Sequence, residues 1–185
     1  MADIVTIAGS PSYPSRSAAV LERVRLLAGS RGLTVDTLRV RDLNPEALVL
    51  ARTNDPSIIA SQQTLAAARG VVIATPVYKA AYSGTLKTWL DLLPQRALED
   101  KIVFPIATGG SPAHLLAIDY ALKPVLSALG AQHILAGLYL TDSQIQHTNG
   151  FDVVLDLPVE ERLQATVNAL VDRLSQPELV TTAIG

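Results

Sequence analysis

The chain has no cysteine among its 185 residues. Without cysteine it can form no disulfide bond, no cysteine-ligated zinc site and no iron–sulfur cluster, and it offers no thiol nucleophile. Its histidines, His114, His133 and His147, lie far apart in the sequence, so their spacing does not indicate a metal site. We therefore expect a protein without a metal centre.

The chain has neither a strong excess of one charge nor a long apolar run. The formal net charge is −2 with no basic block, whereas proteins that follow a nucleic-acid backbone need clustered lysine and arginine. No apolar run approaches the roughly 20 residues that cross a bilayer. Asp3 lies next to the amino terminus, and no signal-peptide pattern is visible there. We expect a soluble, cytoplasmic protein with no nucleic-acid or membrane partner.

Aromatic residues make up only 4% of the chain, while 49% of its residues are hydrophobic, with alanine and leucine prominent among them. This composition favours helices packed on a parallel sheet over a β-sandwich. The length suits one domain with an ample core. We predict a single domain over residues 1–176 and a fraying tail over residues 177–185.

Apolar, β-rich runs alternate with helical patterns along the chain. The predicted strands span about 4–8, 33–40, 71–76, 101–108 and 132–140. The predicted helices span about 17–27, 56–69, 85–93, 113–129 and 158–174, with a short helix from Pro45 and no clear pattern over 142–156. Strands connected through helices are parallel, in one doubly wound α/β sheet. Five strands fit the flavodoxin-like order 2-1-3-4-5, with helices on both faces.

The loop after the first strand, residues 9–17, carries four serines and Arg16 immediately before a helix. In such a sheet, ligands bind where the loops after the first and third strands meet. A helix N-terminus attracts anions, and serine hydroxyls and an arginine fork suit phosphate. The loop therefore predicts a phosphate site, although Ser15 also fits an ordinary helix N-cap. It matches neither the Walker pattern nor the dinucleotide fingerprint.

The loop after the third strand, residues 76–84, suits a flat ligand such as a nucleotide or a flavin. Its proline and small residues let a planar ring lie against the backbone, Tyr78 and Tyr82 can pack beside the ring, and Lys79 can offset negative charge. The alternatives are a solvated Lys79 and tyrosines packed under a neighbouring subunit. A third wall is predicted after the fourth strand at 108–111, although a Gly-Gly pair by itself can mark only a turn.

Three runs of the sequence together carry a family resemblance: AGSPSYPSRS, ATPVYKAAYSGTLKTWLDLLPQRAL and ATGGSPAHLLAIDYALKPVLSALGAQ. They closely resemble the NAD(P)H-dependent FMN reductases of two-component alkanesulfonate monooxygenase systems, over about residues 3–145. The resemblance implies an enzyme that reduces FMN with NADPH or NADH. It also implies that the reduced FMN leaves for a transient partner, a monooxygenase that cleaves sulfonates. Hydride would pass between the two nucleotides, so no strictly catalytic side chain is implied.

The resemblance also implies which residues bind FMN. Three groups of residues are expected to hold its phosphate, its ring and the edge of that ring. They are Ser10, Ser15, Arg16 and Ser17 for the phosphate, Pro76, Val77, Tyr78 and Lys79 with Tyr82, Ser83 and Gly84 nearby for the ring, and Thr108, Gly109 and Gly110 for its edge. Some relatives carry an arginine where this chain has Ser12, so one phosphate or NADPH contact of those relatives is missing here.

The predicted helix 113–129 is apolar around much of its circumference, which is typical of a helix buried on more than one side and indicates an oligomer interface. Pro124 deprives the Tyr120 carbonyl of its helical partner, and prolines accompany kinks or π-bulges. The resemblance implies that Tyr120 lies in a π-bulge at a tetramer interface beside the flavin. We predict a homo-oligomer, either dimer or tetramer, in which Tyr120 stacks across the interface and aids FMN exchange. The alternative is a simply packed interface tyrosine.

Two other functions remain as alternatives. An FMN-bound quinone or azo reductase could use the same site. A flavodoxin-type electron carrier is less favoured, because such carriers are usually strongly acidic and sandwich the ring between aromatics, whereas Trp89 falls inside a predicted helix. A response regulator is excluded because the third strand ends at Thr75-Pro76 without a phospho-acceptor aspartate. A low-molecular-weight phosphatase is excluded because the chain lacks cysteine.

Overall fold

A computed structural model describes residues 2–147 and 153–176 of the chain. The predicted tail, residues 177–185, lies outside the described residues. The strands are β1 (Ile4–Ala8), β2 (Val35–Arg39), β3 (Gly70–Tyr78), β4 (Ala81–Tyr82), β5 (Ile102–Gly109), β6 (His133–Ile134), β7 (Leu138–Thr141), β8 (Ile145–His147) and β9 (Val153–Leu155).

The helices alternate with the strands of the main sheet, and the last helix follows β9. They are α1 (Arg16–Ser30), α2 (Pro45–Val49), α3 (Pro56–Ala67), α4 (Gly84–Leu90), α5 (Lys123–Ala128) and α6 (Leu157–Ser175). A π-helical segment, Ile118–Leu122, leads directly into α5 and is called the π segment below. Short 3₁₀ turns occur at Val40–Asp42, Pro112–His114 and Asp142–Gln144. Side-chain N-caps start several helices, as at Asn44 and Asp55.

The main sheet has the order β2-β1-β3-β5, with β6 and β7 both pairing with the far side of β5. These pairs are all parallel, with Ile4 opposite both Val35 and Gly70, and Gly70 opposite Ile102. When β5 counts as the fourth strand and β6 with β7 as the fifth, this is the predicted flavodoxin-like order 2-1-3-4-5, which is confirmed. The fifth strand is interrupted at Gly137, whose missing Cβ would lie 2.6 Å from Ile118 Cγ2.

Two helical layers cover the sheet. One face packs under α3, α4, the π segment and α5, and the other packs under α1 and α6. The central strands β3 and β5 are buried over most of their length, as expected for parallel strands covered on both faces. Trp89, predicted to lie in a helix, is in α4 and is fully buried. Its indole N–H donates to Ser61 Oγ on α3 at 2.9 Å, which ties the two helices together.

The predicted loop 76–84 is instead largely a β-hairpin. Strand β3 continues through Pro76 to Tyr78 and pairs with β4, with Val77 opposite Tyr82. Pro76 is tolerated because β1 ends at Ala8, opposite Ala74, so one side of β3 has no ladder partner at this level. The hairpin tip is formed by Lys79 and Ala80, whose φ angles of +50° and +64° are in the left-handed region.

The predicted helix 113–129 is not one α-helix. A 3₁₀ turn, the π segment and α5 follow one another, and the Lys123 N–H donates to the Ile118 carbonyl, five residues earlier. The proline ring of Pro124 clashes with the Tyr120 carbonyl in a regular helix, and an inserted residue relieves such a clash. The region 142–156 also differs from the expectation, because Ile145 and Leu155 face each other in the antiparallel pair β8–β9. Each of these two strands is too short to show a clear alternation of buried and exposed residues.

The buried contact between Trp89 and Ser61 generates a stability prediction. Ser61→Ala leaves the indole N–H without an acceptor, so we expect a loss of about 1–3 kcal/mol in the free energy of unfolding. The measurement is urea unfolding followed by circular dichroism. Trp89→Phe and the double variant complete a double-mutant cycle, in which we expect a favourable coupling. Additive losses would contradict this role for the hydrogen bond.

Candidate functional site

The loops after β1, β3 and β5 converge at the carboxyl edge of the sheet. Ser83 joins the first two: its Oγ donates to the Gly9 carbonyl and accepts the Leu86 N–H at 3.0 Å, which caps α4. The Ser83 N–H donates to Thr75 Oγ1 at 3.0 Å. Ser83 is fully buried. It therefore lies behind the site as a support, while Gly84 beside it is exposed.

The first loop places the N-terminus of α1 at this edge. Ser15 is the N-cap of α1, as the sequence allowed, because its Oγ accepts the Ala18 N–H at 3.2 Å. The backbone N–H groups of Arg16 and Ser17 make no hydrogen bond to the residues described by the structure. They remain available to an anion at the N-terminus of a 15-residue helix.

The serine side chains of this loop have different surroundings. Ser10 is buried and its Oγ accepts the Ser12 N–H at 3.1 Å, which leaves its own O–H able to donate. Ser17 is also buried, with its Oγ 3.4 Å from that of Ser15. Ser12 is exposed. The loop therefore gathers hydroxyl and backbone donors below an open helix end.

Arg16 reaches across the edge of the sheet to the 3₁₀ turn that follows β7. Its Nη1 lies 3.4 Å from Asp142 Oδ2, and both side chains are nearly half exposed. Such an exposed pair contributes little stability, so the guanidinium can exchange this partner for an anionic ligand. Asp142 was not predicted, because it lies in the segment without a clear sequence pattern.

The hairpin separates the two predicted tyrosines. Tyr78 is 47% exposed at the end of β3, next to Lys79 at the tip. Tyr82 is half-buried against the helical layer that contains Trp89, and burial raises the pKa of its hydroxyl. The structure therefore leaves Tyr78, Lys79 and the half-buried Pro76 and Val77 at the open edge, and it directs Tyr82 into the packing below.

The third loop is held by a residue that the sequence did not reveal. A Cβ on Gly109 would lie 2.4 Å from the Tyr139 hydroxyl and 3.6 Å from Val77 Cβ. That hydroxyl donates to the Ser111 carbonyl at 2.6 Å, and burial raises the pKa of Tyr139, so the donor stays protonated. Thr108 and Gly109 are buried, while Gly110 is exposed. An aromatic residue at the end of the last strand was the available signal for Tyr139.

Tyr120 projects from the π segment and is 79% exposed. Ile118 and Leu122, on either side of it in the sequence, are buried, whereas Leu115 and Leu116 are about half exposed. The π segment packs against β4 of the hairpin. Tyr120, Leu115 and Leu116 thus form an exposed apolar patch on the segment that follows the third loop, and we call them the Tyr120 patch.

In residues 2–147 and 153–176, no three histidine, aspartate or glutamate side chains are grouped so that they could hold a metal ion. His114 and His133 are both exposed. None of the helices in that part of the chain combines the length and the hydropathy needed to cross a membrane.

The chemistry of these three walls fits FMN. At the end formed by the first loop, backbone N–H groups, serine hydroxyls and Arg16 can donate hydrogen bonds to a phosphate. At the other end, the exposed Gly110 leaves room for a planar ring, since a Cβ there would have only Asp142 Oδ2 within 4 Å, at 3.9 Å. The donors are backbone groups and neutral or cationic side chains, which suits a monoanionic or dianionic ligand.

Comparison with known proteins agrees with this geometry. The model of the family described as NADPH-dependent FMN reductase matches residues 2–146. The chain is 54% identical to "FMN reductase (NADPH)" from Pseudomonas putida, over 86% of this chain and 82% of that protein. It is 48% identical to "FMN reductase (NADPH)" from Escherichia coli K12, over 88% of each chain.

A solved structure also resembles the whole fold. An apo form of NADH:FMN oxidoreductase (EMOB) superposes with a TM-score of 0.86 at 35% identity, covering 96% of this chain and 92% of that one. Sequence, fold and site chemistry agree on an oxidoreductase that uses FMN with NADPH or NADH. The chain belongs to the NADPH-dependent FMN reductase family.

Proposed function

We propose that this enzyme binds FMN at the three loops as a substrate exchanged in every turnover, and that reduced FMN passes to a separate sulfonate-cleaving monooxygenase. The observation that carries the exchange is the exposure of Tyr120 in the π segment beside the site. A site bordered by an exposed aromatic at a potential subunit boundary is suited to release. The sulfonate partner is supported by the resemblance of the three sequence runs.

At the phosphate end, three residues contact the ligand and a fourth shapes the helix end. The free N–H groups of Arg16 and Ser17 face the anion at the start of α1, and the Arg16 guanidinium leaves Asp142 to pair with it. The hydroxyls of Ser10 and Ser17 donate from below, while Ser15 keeps the helix end in shape by capping it.

At the ring end, the hairpin and the third loop form two sides of a slot. Pro76, Val77 and Tyr78 line the side on β3, with Lys79 at the tip to offset negative charge. The left-handed backbone at Lys79 and Ala80 costs about 1–2 kcal/mol per residue and is maintained by the pairing of β3 with β4. Thr108, Gly109 and Gly110 meet the other edge. Tyr82 and Ser83 support the slot from behind, and Gly84 is exposed beside them.

When both nucleotides are bound, they carry the hydride chemistry between them. The protein's contribution would be to hold the two nucleotides next to each other at the three loops, which would remove the entropic cost of their encounter. No side chain of the slot has to move a proton for this transfer. A reaction that consumes NADPH and hands over a diffusible flavin also supports the cytoplasmic location expected from the sequence.

We also propose that the Tyr120 patch is buried between copies of this chain in a dimer or tetramer. Exposed tyrosine and leucine side chains grouped on one segment are typical of interaction surfaces. The buried stripe of the same region, which includes Ile118 and Leu122, faces the chain's own core. The patch thus provides the second buried side expected from the sequence.

The function is tested by NADPH oxidation in flavin-stripped protein with and without free FMN. We expect the rate to saturate with added FMN and to be small with quinones or azo compounds. Adding a sulfonate monooxygenase and its substrate should then release sulfite. A permanently yellow protein that reduces quinones by ping-pong kinetics would instead indicate the FMN-bound quinone or azo reductase.

The phosphate end is tested by Arg16→Ala. A hydrogen-bonded charge pair contributes about 1.5–3 kcal/mol, so we expect KM for FMN to rise roughly 10–100-fold. KM for riboflavin, which lacks the phosphate, should stay unchanged. Asp142→Asn is the matched control, because it removes the partner of Arg16 without removing a donor. Equal losses for FMN and riboflavin would place Arg16 outside the phosphate site.

Exchange at the interface is tested by Tyr120→Ala. Without the ring, the neighbouring subunit can settle over the flavin, so we expect the variant to purify with FMN tightly bound and to lose steady-state FMN turnover. Absorbance of the purified protein and turnover with added FMN measure both effects. Tyr120→Phe keeps the ring and should behave like the parent. A colourless alanine variant with normal turnover would refute the role of Tyr120.

A further inference from the structure

A second feature lies on the opposite side of the first loop from the flavin slot. It is a cavity of about 230 Å³ between α1 and β2, at the carboxyl ends of β1 and β2. Apart from Ser15, none of the predicted FMN-binding residues lines it. The lining residues are Ala8, Tyr13, Pro14, Ser15, Ala18, Ala19, Leu21, Glu22, Thr37 and Arg39. We call this space the β2 cavity.

The β2 cavity has the size and surface of a nucleoside site. Drug-sized ligands occupy about 300–1,000 Å³, so this smaller space suits one base with its sugar and not a whole dinucleotide. Alanine and leucine side chains form much of its wall. The Tyr13 ring, 50% exposed, borders it and offers a face on which a base can stack.

Positive charge is concentrated beside that ring. The Arg41 guanidinium lies 5.5 Å from the centroid of the Tyr13 ring, and Arg39 lines the cavity at the end of β2. Within the part of the chain that the structure describes, Arg39 makes no ion pair, and the ion pair of Arg41 with Asp42 is long, at 3.7 Å. These arginines can therefore turn to an anionic ligand.

The one acidic side chain of the lining, Glu22, has its charge offset. Both of its carboxylate oxygens accept hydrogen bonds from Arg25 Nε, at 3.0 and 2.9 Å. The Thr37 hydroxyl is engaged with that of Thr6 at 3.0 Å. The net character of the β2 cavity is thus an apolar floor with a cationic rim, which suits an aromatic base attached to a phosphate.

The strand order gives the distance between the β2 cavity and the flavin slot. Arg39 is opposite Ala8, so the end of β2 lies directly beside the loop that begins α1. From β2 to β5 there are three strand spacings, or about 14 Å. A pyrophosphate with two riboses can bridge that distance. In other doubly wound sheets, an arginine near the end of the second strand accommodates the 2′-phosphate of NADP.

We propose that the β2 cavity binds the adenosine 2′-phosphate end of NADPH, with adenine against Tyr13 and the 2′-phosphate between Arg39 and Arg41. Arginine suits this role because its planar fork binds phosphate oxygens in pairs. The nicotinamide end then reaches the flavin slot over the first loop. This inference rests on the function proposed above and adds to it the residues that select NADPH over NADH.

The test compares both coenzymes in the purified enzyme with saturating FMN. We expect the parent enzyme to prefer NADPH. In Arg39→Ala/Arg41→Ala, kcat/KM for NADPH should fall at least tenfold, mainly through KM, while kcat/KM for NADH and KM for FMN stay within twofold. Arg39→Lys/Arg41→Lys should retain part of the preference. Inhibition by 2′,5′-ADP should weaken in the alanine variant, and inhibition by 5′-AMP should not.

The matched control is Arg69→Ala/Arg96→Ala, which removes the same charge from the amino-terminal edge of the sheet. It should leave kcat/KM unchanged for both NADPH and NADH. Equal losses with NADPH and NADH, no loss with either, a parent without NADPH preference, or a raised KM for FMN would each overturn the assignment. Continued FMN reduction with NADH in any of these cases would leave the proposed function standing, so the two failures are distinguishable.

Discussion

The candidate site depends on the hydrogen bonds of one buried serine. Ser83 Oγ donates to the Gly9 carbonyl and accepts the N–H of Leu86, while the Ser83 N–H donates to Thr75. Strand β3, helix α4 and the loop after β1 therefore share one buried network, which is costly to leave incomplete. Gly9 permits this closeness, since a Cβ there would lie 2.9 Å from Leu86 Cβ. The loop after β1 and the β3–β4 hairpin consequently keep a constant relative position.

The π segment contributes both to the core and to the exposed surface. Pro124 disturbs the hydrogen bonding of the preceding turn, and the Lys123 N–H reaches back five residues to Ile118. On the inner side, Gly137 lets Ile118 pack closely against the interrupted fifth strand. On the outer side, Tyr120 is left exposed beside the third loop. One proline and one glycine thus allow a single segment to complete the core and to present an aromatic surface.

Much of the fold follows from local patterns. The runs that became β1, β3 and β5 are largely apolar, as strands covered on both faces must be, and a glycine follows β1 and ends β5. The sequence does not predict the pair β8–β9, because its strands are too short to establish a period. The extension of β3 past Pro76 was also missed. Whether a proline ends a strand depends on the neighbouring strand, and β1 happens to stop just before it.

The sequence by itself determined the alternation of strands and helices, the helix caps and the three loops rich in serine, glycine and tyrosine, because these depend on residues close together in the chain. Only the tertiary structure decided which distant side chains meet: Tyr139 with the third loop, Arg16 with Asp142, and Arg41 with Tyr13. It also directed Tyr82 inward while leaving Tyr78 exposed. The physical reason is that these contacts are made across the sheet edge, where position depends on strand order and layer packing, which no local pattern encodes.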